Sequence, residues 1–230
     1  MPARSKAKNR CPNCLMREVL CVCALIHPRL LATRVTVLMH WREVKRTTNT
    51  AKLATLALPN SEIRVRGDRR FPLKVSDLVK NDHYRSVILF PTLDAVELTK
   101  EFANQMDGPF HLIVPDGNWQ QARKVATREH ELDAIPRVKL PPDSLSAYQL
   151  RHSPHPERIS TYEAIARAIG ILHGLELRRE MEALFDVMIE RTLWSRGKIP
   201  LAGCRHTIPE AAIRAFYEDG VRGGRRDGRS

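Results

Sequence analysis

The sequence predicts an α/β fold, a largely parallel sheet flanked by helices, and two observations predict it. Three apolar runs of strand length, Arg34–His40 (RVTVLMH), Val87–Phe90 (VILF) and the run from Phe110 (FHLIV), each stop at a polar, proline or glycine turn. After each turn comes a stretch of helix formers. Strands that alternate with helices pair in parallel, because a crossover must carry the chain back to the same end of the sheet.

Taken in order, residues 1–10 carry Arg4, Lys6, Lys8 and Arg10 with no acid and read as a basic disordered arm. Residues 11–30 hold four of the five cysteines and read as a metal knuckle. The main body spans 31–219. In it the Arg34 strand is followed by a helical segment to about Leu58, then a short strand at Glu62–Val65. The Val87 strand ends at Pro91-Thr92, with a helix expected from Asp94 to Met106. The Phe110 strand and its helix come next, then a short Arg137–Leu140 strand. Pro141-Pro142 opens a proline-containing loop that runs to a helix start at Ser160-Thr161, and helices follow at about 161–173 and 176–194. Residues 220–230 (GVRGGRRDGRS) are Gly/Arg-rich and read as a disordered tail.

A chain of 230 residues, 43% hydrophobic and 28% charged, can bury one full core. No apolar run reaches spanning length and the start lacks the apolar stretch of a signal peptide, so a cytoplasmic protein is expected. The net charge of +12 and pI of about 9.9 should attract polyanions, of which nucleic acid is the commonest in the cytoplasm. Anionic lipid is a weaker match, since no basic amphipathic helix carries an apolar anchor.

Cys11-x2-Cys14-x6-Cys21-x-Cys23 places four soft donors within thirteen residues. Paired knuckles of this kind suit a tetrahedral zinc, and with all four positions filled by protein the ion would be structural. A disulfide pair is disfavoured in a reducing compartment, and a thioredoxin-type motif would need a strand–helix unit in front of it. Cys204 stands apart.

Four polar stretches carry the remaining chemistry. Phe110–Lys124 runs from a buried strand through Asp116-Gly117 into a helix. Loops at the carboxyl ends of parallel strands form ligand crevices, so Asp116 should sit on the lip of one. Gly117 would admit a close backbone approach and Trp119 a flat face. The plain alternative is a helix cap followed by a core Trp. After the first strand, His40-Trp41-Arg42-Glu43-Val44-Lys45-Arg46-Thr47-Thr48-Asn49-Thr50 reads as a binding loop with phosphate contacts from Arg42, Lys45 and Arg46, though Thr47, Asn49 or Thr50 could simply cap the next helix. Leu89-Phe90-Pro91-Thr92 could wall a pocket. Tyr148–Arg151 leads to Ser160-Thr161-Tyr162-Glu163-Ala164, a helix start suited to a carboxylate that Arg151 could grip; Ser160 and Glu163 also form a capping box by pattern. No Gly-rich phosphate cradle, Ser/His/Asp signature or H-E-x-x-H is present.

Together these pieces closely resemble the DTW-domain family, the tRNA-uridine aminocarboxypropyltransferases. The resemblance rests on Cys11/Cys14/Cys21/Cys23, on His40 with Glu43 and Arg46-Thr47-Thr48-Asn49-Thr50, and on Phe90-Pro91-Thr92. It extends through Asp116-Gly117-Asn118-Trp119-Gln120-Gln121-Ala122-Arg123-Lys124 and Ser160-Thr161-x-Glu163-Ala164, so that it covers about residues 11–195. One departure stands out: Asn118 replaces the Thr of the name-giving D-x-T-W.

The resemblance implies a SPOUT-like fold, and it allows a knotted C-terminal segment. S-adenosylmethionine would sit among the strand-end loops and donate its 3-amino-3-carboxypropyl group to N3 of a uridine in tRNA. Asp116 would accept or orient the N3 proton, and Trp119 would pack on the cofactor or the target base. Leu89, Phe90, Pro91, Thr92, Val114 and Pro115 would wall the adenosine, with Arg151, Ser160, Thr161 and Glu163 around the methionine end. The basic arm, the knuckle, Arg123, Lys124, Arg128 and the tail arginines Arg222, Arg225, Arg226 and Arg229 would hold the tRNA backbone. Two other readings remain open: a SPOUT-like RNA methyltransferase using the same cofactor, and a non-catalytic zinc-containing RNA-binding protein in which Asp116 and Trp119 are only cap and core.

Overall fold

The computed structural model describes residues 9–68, 70, 72–80, 83–142 and 159–218. They fall into two compact units, Ile26–Ala183 and a second formed by the chain's two ends, Met1–Leu25 with Leu184–Ser230.

In the larger unit a six-stranded sheet is built from β1 (Arg34–His40), β2 (Ser61–Arg66), β3 (Arg85–Leu89), β4 (Val96–Glu97), β5 (Phe110–Asp116) and β6 (Arg137–Lys139). Its order is β2-β1-β5-β3-β6-β4 and every pairing is parallel. The adjacent strands β1 and β5 are buried on both faces, which is why they read as near-continuous apolar runs. Helices α1 (Ala51–Ala57), α2 (Ser76–Val79), α3 (Lys100–Asn104), α4 (Trp119–Arg128) and α5 (Thr161–His173) connect and cover them. The long α6 (Leu175–Ser195) starts in this unit. No helix among the described residues is long and apolar enough to cross a membrane.

Strand alternation sorts the core. Leu38, Ile88 and Ile113 point to one face, where they pack with Leu78 of α2 and with Ala122, Val125 and Ala126 of α4. Val37, Leu112 and Val114 therefore take the other face, and α5, which contacts β5 and α1, buries Ile165, Ala166 and Ile169. A close approach brings α5 and α6 together: a Cβ on Gly170 would lie 2.7 Å from the Cβ of Arg178.

Three findings differ from the sequence reading. β5 continues through Pro115 to Asp116. Its pairing with β3 stops at Ile88↔Ile113, so beyond that point β5 is an edge on that side and tolerates a residue without an N–H. The helix expected over Asp94–Met106 is mostly absent. Val96–Glu97 pairs with β6 instead, and α3 starts only where Thr99 accepts a capping hydrogen bond from the Phe102 amide (3.1 Å). A helix the sequence reading did not anticipate, α7 (Glu210–Glu218), lies in the second unit, where Phe216 packs on Trp194 with ring centroids 4.8 Å apart. The knotted segment that the resemblance allows follows β6, and residues 143–158 there lie outside those described, as do the basic arm through Lys8 and the Arg/Gly tail.

One polar chain crosses the α4 face. Thr36 Oγ1 donates to Glu62 Oε1 (3.0 Å), so His111 Nε2 must donate to Thr36 Oγ1 (2.7 Å), which fixes a neutral tautomer. His111 is fully buried and its Nδ1 makes no hydrogen bond, so a second proton would be stranded. Burial first, then the Arg34 charge, pushes its pKa down to about 4. Because the unfolded chain binds this proton near pH 6.5, stability falls as pH drops from about 6.5 toward 4, by at most about 1.4 kcal/mol per pH unit from this group. Urea midpoints at pH 7.5 and pH 5 should therefore differ less in His111→Gln than in the wild type. An unchanged difference would rule out His111 as the source.

Candidate active site and cysteine cluster

β1 and β5 lie side by side, with Met39 paired to Asp116 at their carboxyl ends. From there the chain leaves β1 toward β2 at one edge of the sheet and leaves β5 toward β6 near the other edge. In parallel sheets a ligand crevice forms where the connections of adjacent strands diverge, and Asp116, the last residue of β5, stands at that point.

Alternation turns the Asp116 side chain toward the α5 face, where it is 5% exposed. Asn49 Nδ2 donates to its Oδ2 (2.7 Å), and Thr161 Oγ1 donates to its Oδ1 (2.5 Å). The loop that supplies Asn49 is anchored twice more. Asn49 Oδ1 accepts from the Lys52 amide (3.4 Å), and Thr50 Oγ1 accepts from the Tyr162 amide in the first turn of α5 (3.3 Å). Three segments distant in sequence thus converge on one carboxylate. A buried carboxylate costs several kcal/mol unless donors of this kind surround it.

The residues after Asp116 turn the other way. A Cβ at Gly117 would lie 2.8 Å from Gln121 Cβ, because Gln121 folds back to complete a capping box: the Gln121 amide donates to Asn118 Oδ1 (2.9 Å) and the Asn118 amide donates to Gln121 Oε1 (2.8 Å). Trp119 then packs on the α4 side against the core cluster, with its ring centroid 5.0 Å from that of Phe90.

The structure therefore divides the expected site residues. Leu89, Val114, Asp116, Ser160, Thr161 and Glu163 belong to the α5 side of the sheet; Phe90, Pro115 and Trp119 belong to the α4 side. Ser160 and Glu163 are committed to each other in the predicted capping box, with the Ser160 amide donating to Glu163 Oε2 (2.8 Å). Thr161, expected near a methionine end, donates to Asp116. Pro91 is exposed. Beside it the Thr92 hydroxyl holds the Asp94 carboxyl below its ordinary pKa, yet Thr92 Oγ1 is buried and closes no hydrogen bond of normal geometry. Arg42, Lys45, Arg46, Arg123 and Lys124 are all exposed, with Arg46 Nε 3.4 Å from the buried Glu43 carboxylate. Arg151 lies outside the described residues. Asn49 was legible only as a possible cap; what marks it out is its place in a polar loop just after a strand.

In the second unit the four sulfurs of Cys11, Cys14, Cys21 and Cys23 lie within 4.8 Å of one another. Cys11 and Cys23 sulfurs are 3.6 Å apart, as are those of Cys14 and Cys21. These separations are far too long for disulfides. They approach the edge of about 3.8 Å that a tetrahedron with 2.3 Å metal–sulfur bonds requires. Burial would raise the Cys11 thiol, but hydrogen bonds from the amides of Cys14 and Asn13 and from the Cys21 and Cys23 side chains together bring it down to about 7. Leu15, directly after the first knuckle, takes a left-handed φ of 61° to let the ribbon turn. Arg191 of α6 ties the second knuckle down, donating to the carbonyls of Cys21 (2.8 Å) and Leu20 (3.4 Å). Donor set, spacing and support fit a metal ion.

The family model of the DTW domain matches residues 8–193. The chain belongs to the DTW-domain family. Among curated relatives, it is 31% identical over 180 residues to tRNA-uridine aminocarboxypropyltransferase 2 of Drosophila melanogaster, covering 76% of this chain and 71% of that protein. It is 26% identical over 172 residues to the protein of that name from Macaca fascicularis, and 24% identical over 174 residues to the one from Mus musculus. Each of those two alignments covers 73% of this chain and 58% of the relative's length. No solved structure matches.

Within the DTW signature of this chain, position 118 is a helix cap, which explains why Asn can stand where the family has Thr: both side chains accept from the third amide of the helix. Thermal unfolding should therefore show Asn118→Thr within about 0.5 kcal/mol of the wild type, against about 1 kcal/mol lost in Asn118→Ala. Equal losses in the two would show that the cap is not what residue 118 provides.

Proposed function

We propose that this DTW-domain protein is a tRNA-uridine aminocarboxypropyltransferase, which moves the 3-amino-3-carboxypropyl group of S-adenosylmethionine to N3 of a uridine in tRNA. The observation that carries the reading is the Asp116 carboxylate, held at the β1/β5 crevice by Asn49 and Thr161, in a chain whose relatives bear that activity's name.

When bound, S-adenosylmethionine supplies a sulfonium-activated carbon, with methylthioadenosine as its leaving group. Leu89 and Val114 would line the adenosine on the α5 side, with Pro91 and Thr92 at the end of β3, while Phe90, Pro115 and Trp119 on the α4 face would support the strand ends from behind. The first turn of α5, with Ser160, Thr161 and Glu163, and Arg151 before it would hold the amino acid end. Uridine N3 carries a proton that must depart as the new bond forms. Asp116 is the group we assign to accept or orient it, as a carboxylate fixed at the carboxyl end of β5 by Asn49 and Thr161. Asn49 and Thr161 are positioning residues, since fixing the carboxylate fixes the direction in which the proton can leave. Exposed Arg42, Lys45, Arg46, Arg123 and Lys124 would contact tRNA phosphates.

Incubation with S-adenosylmethionine and unmodified tRNA, followed by mass analysis of the nucleosides, should yield 3-(3-amino-3-carboxypropyl)uridine; a methylated uridine would make the protein a methyltransferase, and no product would leave only RNA binding. Asp116→Ala should lower turnover by roughly 10²–10⁴-fold. Near-wild-type turnover would remove Asp116 from the mechanism.

We also assign the cysteine cluster one structural zinc ion. Elemental analysis should find one zinc per chain, lost in Cys14→Ser or Cys21→Ser, and stripping it should expose residues 9–25 to protease. Full protease resistance after stripping would contradict the assignment.

A further inference from the structure

Trp41 follows β1 directly and opens the short 3-10 turn Trp41–Glu43. It is 48% exposed, whereas Trp194 is buried and Trp119 is packed into the core. The ring is not loose. Gly67, just after β2, has φ +86° and lies so close that a Cβ there would be 2.8 Å from Trp41 Cδ1. The His40 ring lies stacked at 6.0 Å with planes 29° apart, and the Arg42 guanidinium carbon lies 5.2 Å from the indole centroid. A large flat side chain is therefore set in position and left half in solvent.

Its surroundings are cationic. Burial, then Arg42, Arg66 and Lys124, hold the neighbouring His40 below its ordinary pKa against the opposing pull of Glu43, so those three cations lie near it. An aromatic anchor for a protein partner normally sits among apolar neighbours, and one for a membrane needs further apolar residues beside it. Trp41 has His40 and Arg42 against it instead, with Lys45 and Arg46 in the same loop. A π-face among cations matches a nucleotide, whose base stacks while its phosphate meets the charge. The site is also near the chemistry: Trp41 stands two residues, roughly 7 Å of chain, past Met39, the register partner of Asp116.

We propose that Trp41 is a stacking platform for an unpaired base of the RNA substrate next to the uridine that is modified. The proposal rests on the reading of tRNA as substrate. Neither the DTW signature nor the loop residues assigned to phosphate contact include Trp41.

Binding is measured with unmodified tRNA and with a single-stranded oligonucleotide carrying 2-aminopurine, at several salt concentrations, for the wild type, Trp41→Phe, Trp41→Ala and Lys124→Ala. Thermal unfolding verifies that each variant is folded. Trp41→Ala should bind about tenfold more weakly, with the 2-aminopurine quench reduced and the salt slope unchanged, while Trp41→Phe keeps most of the affinity. Lys124→Ala should lower the salt slope by about one instead. In transfer assays KM for tRNA should rise in Trp41→Ala by more than kcat falls. Wild-type affinity, quench and KM in Trp41→Ala would overturn the proposal, and so would a Trp41-dependent affinity for polyglutamate in place of RNA. The binding arm needs no turnover: Trp41-dependent RNA binding without any transfer would sink the enzymatic reading and leave the platform standing.

Discussion

A carboxylate taken almost wholly out of water is the constraint on which the larger unit turns. Burial of Asp116 is offset by an amide from the loop after β1 and a hydroxyl from the start of α5, each donating to one of its oxygens. Those two donors lie 67 and 45 residues away in sequence. Satisfying the charge therefore also joins the β1 loop, the end of β5 and the first turn of α5. Thr50, bonded to the Tyr162 amide, closes the same junction a second time. What makes the crevice rigid is what makes it suitable for positioning a reacting group.

The signature stretch gains its meaning from the change of period at a strand end. Asp116 is the last residue of β5 and points to the α5 face by alternation. Gly117 makes room for Gln121, Asn118 caps α4, and Trp119 turns to the α4 face and meets Phe90. Four consecutive residues serve four different purposes. The plain reading of this stretch, a cap followed by a packed Trp, holds for Asn118 and in part for Trp119, while Asp116 ends β5 beside β1 and binds Asn49 and Thr161.

Elsewhere the same accounting of buried polar groups separates structure from ligand sites. Ser160 and Glu163 satisfy each other, and the His111–Thr36–Glu62 chain is closed at all but one nitrogen. Thr92, by contrast, has a buried hydroxyl beside a strand end that makes no hydrogen bond of normal geometry, with the Asp94 carboxyl as its neighbour. In the second unit the four cysteine sulfurs lie within 4.8 Å of one another, a donor set that fits a metal ion.

The sequence by itself determined what depends on near neighbours along the chain. The strand runs, the limits of α5, the capping box at Ser160 and Glu163 and the converging cysteine knuckles all follow from local periodicity and spacing. The helix expected over Asp94–Met106 failed because Val96 and Glu97 found a strand partner in β6, which no local pattern announces. The tertiary structure alone decided which donors reach Asp116, that Thr161 serves the carboxylate, that the expected site residues split between two faces, and that Gly67 props up Trp41. Each of these depends on the register between strands and on helices crossing from distant parts of the chain, and such contacts leave no mark in the order of residues.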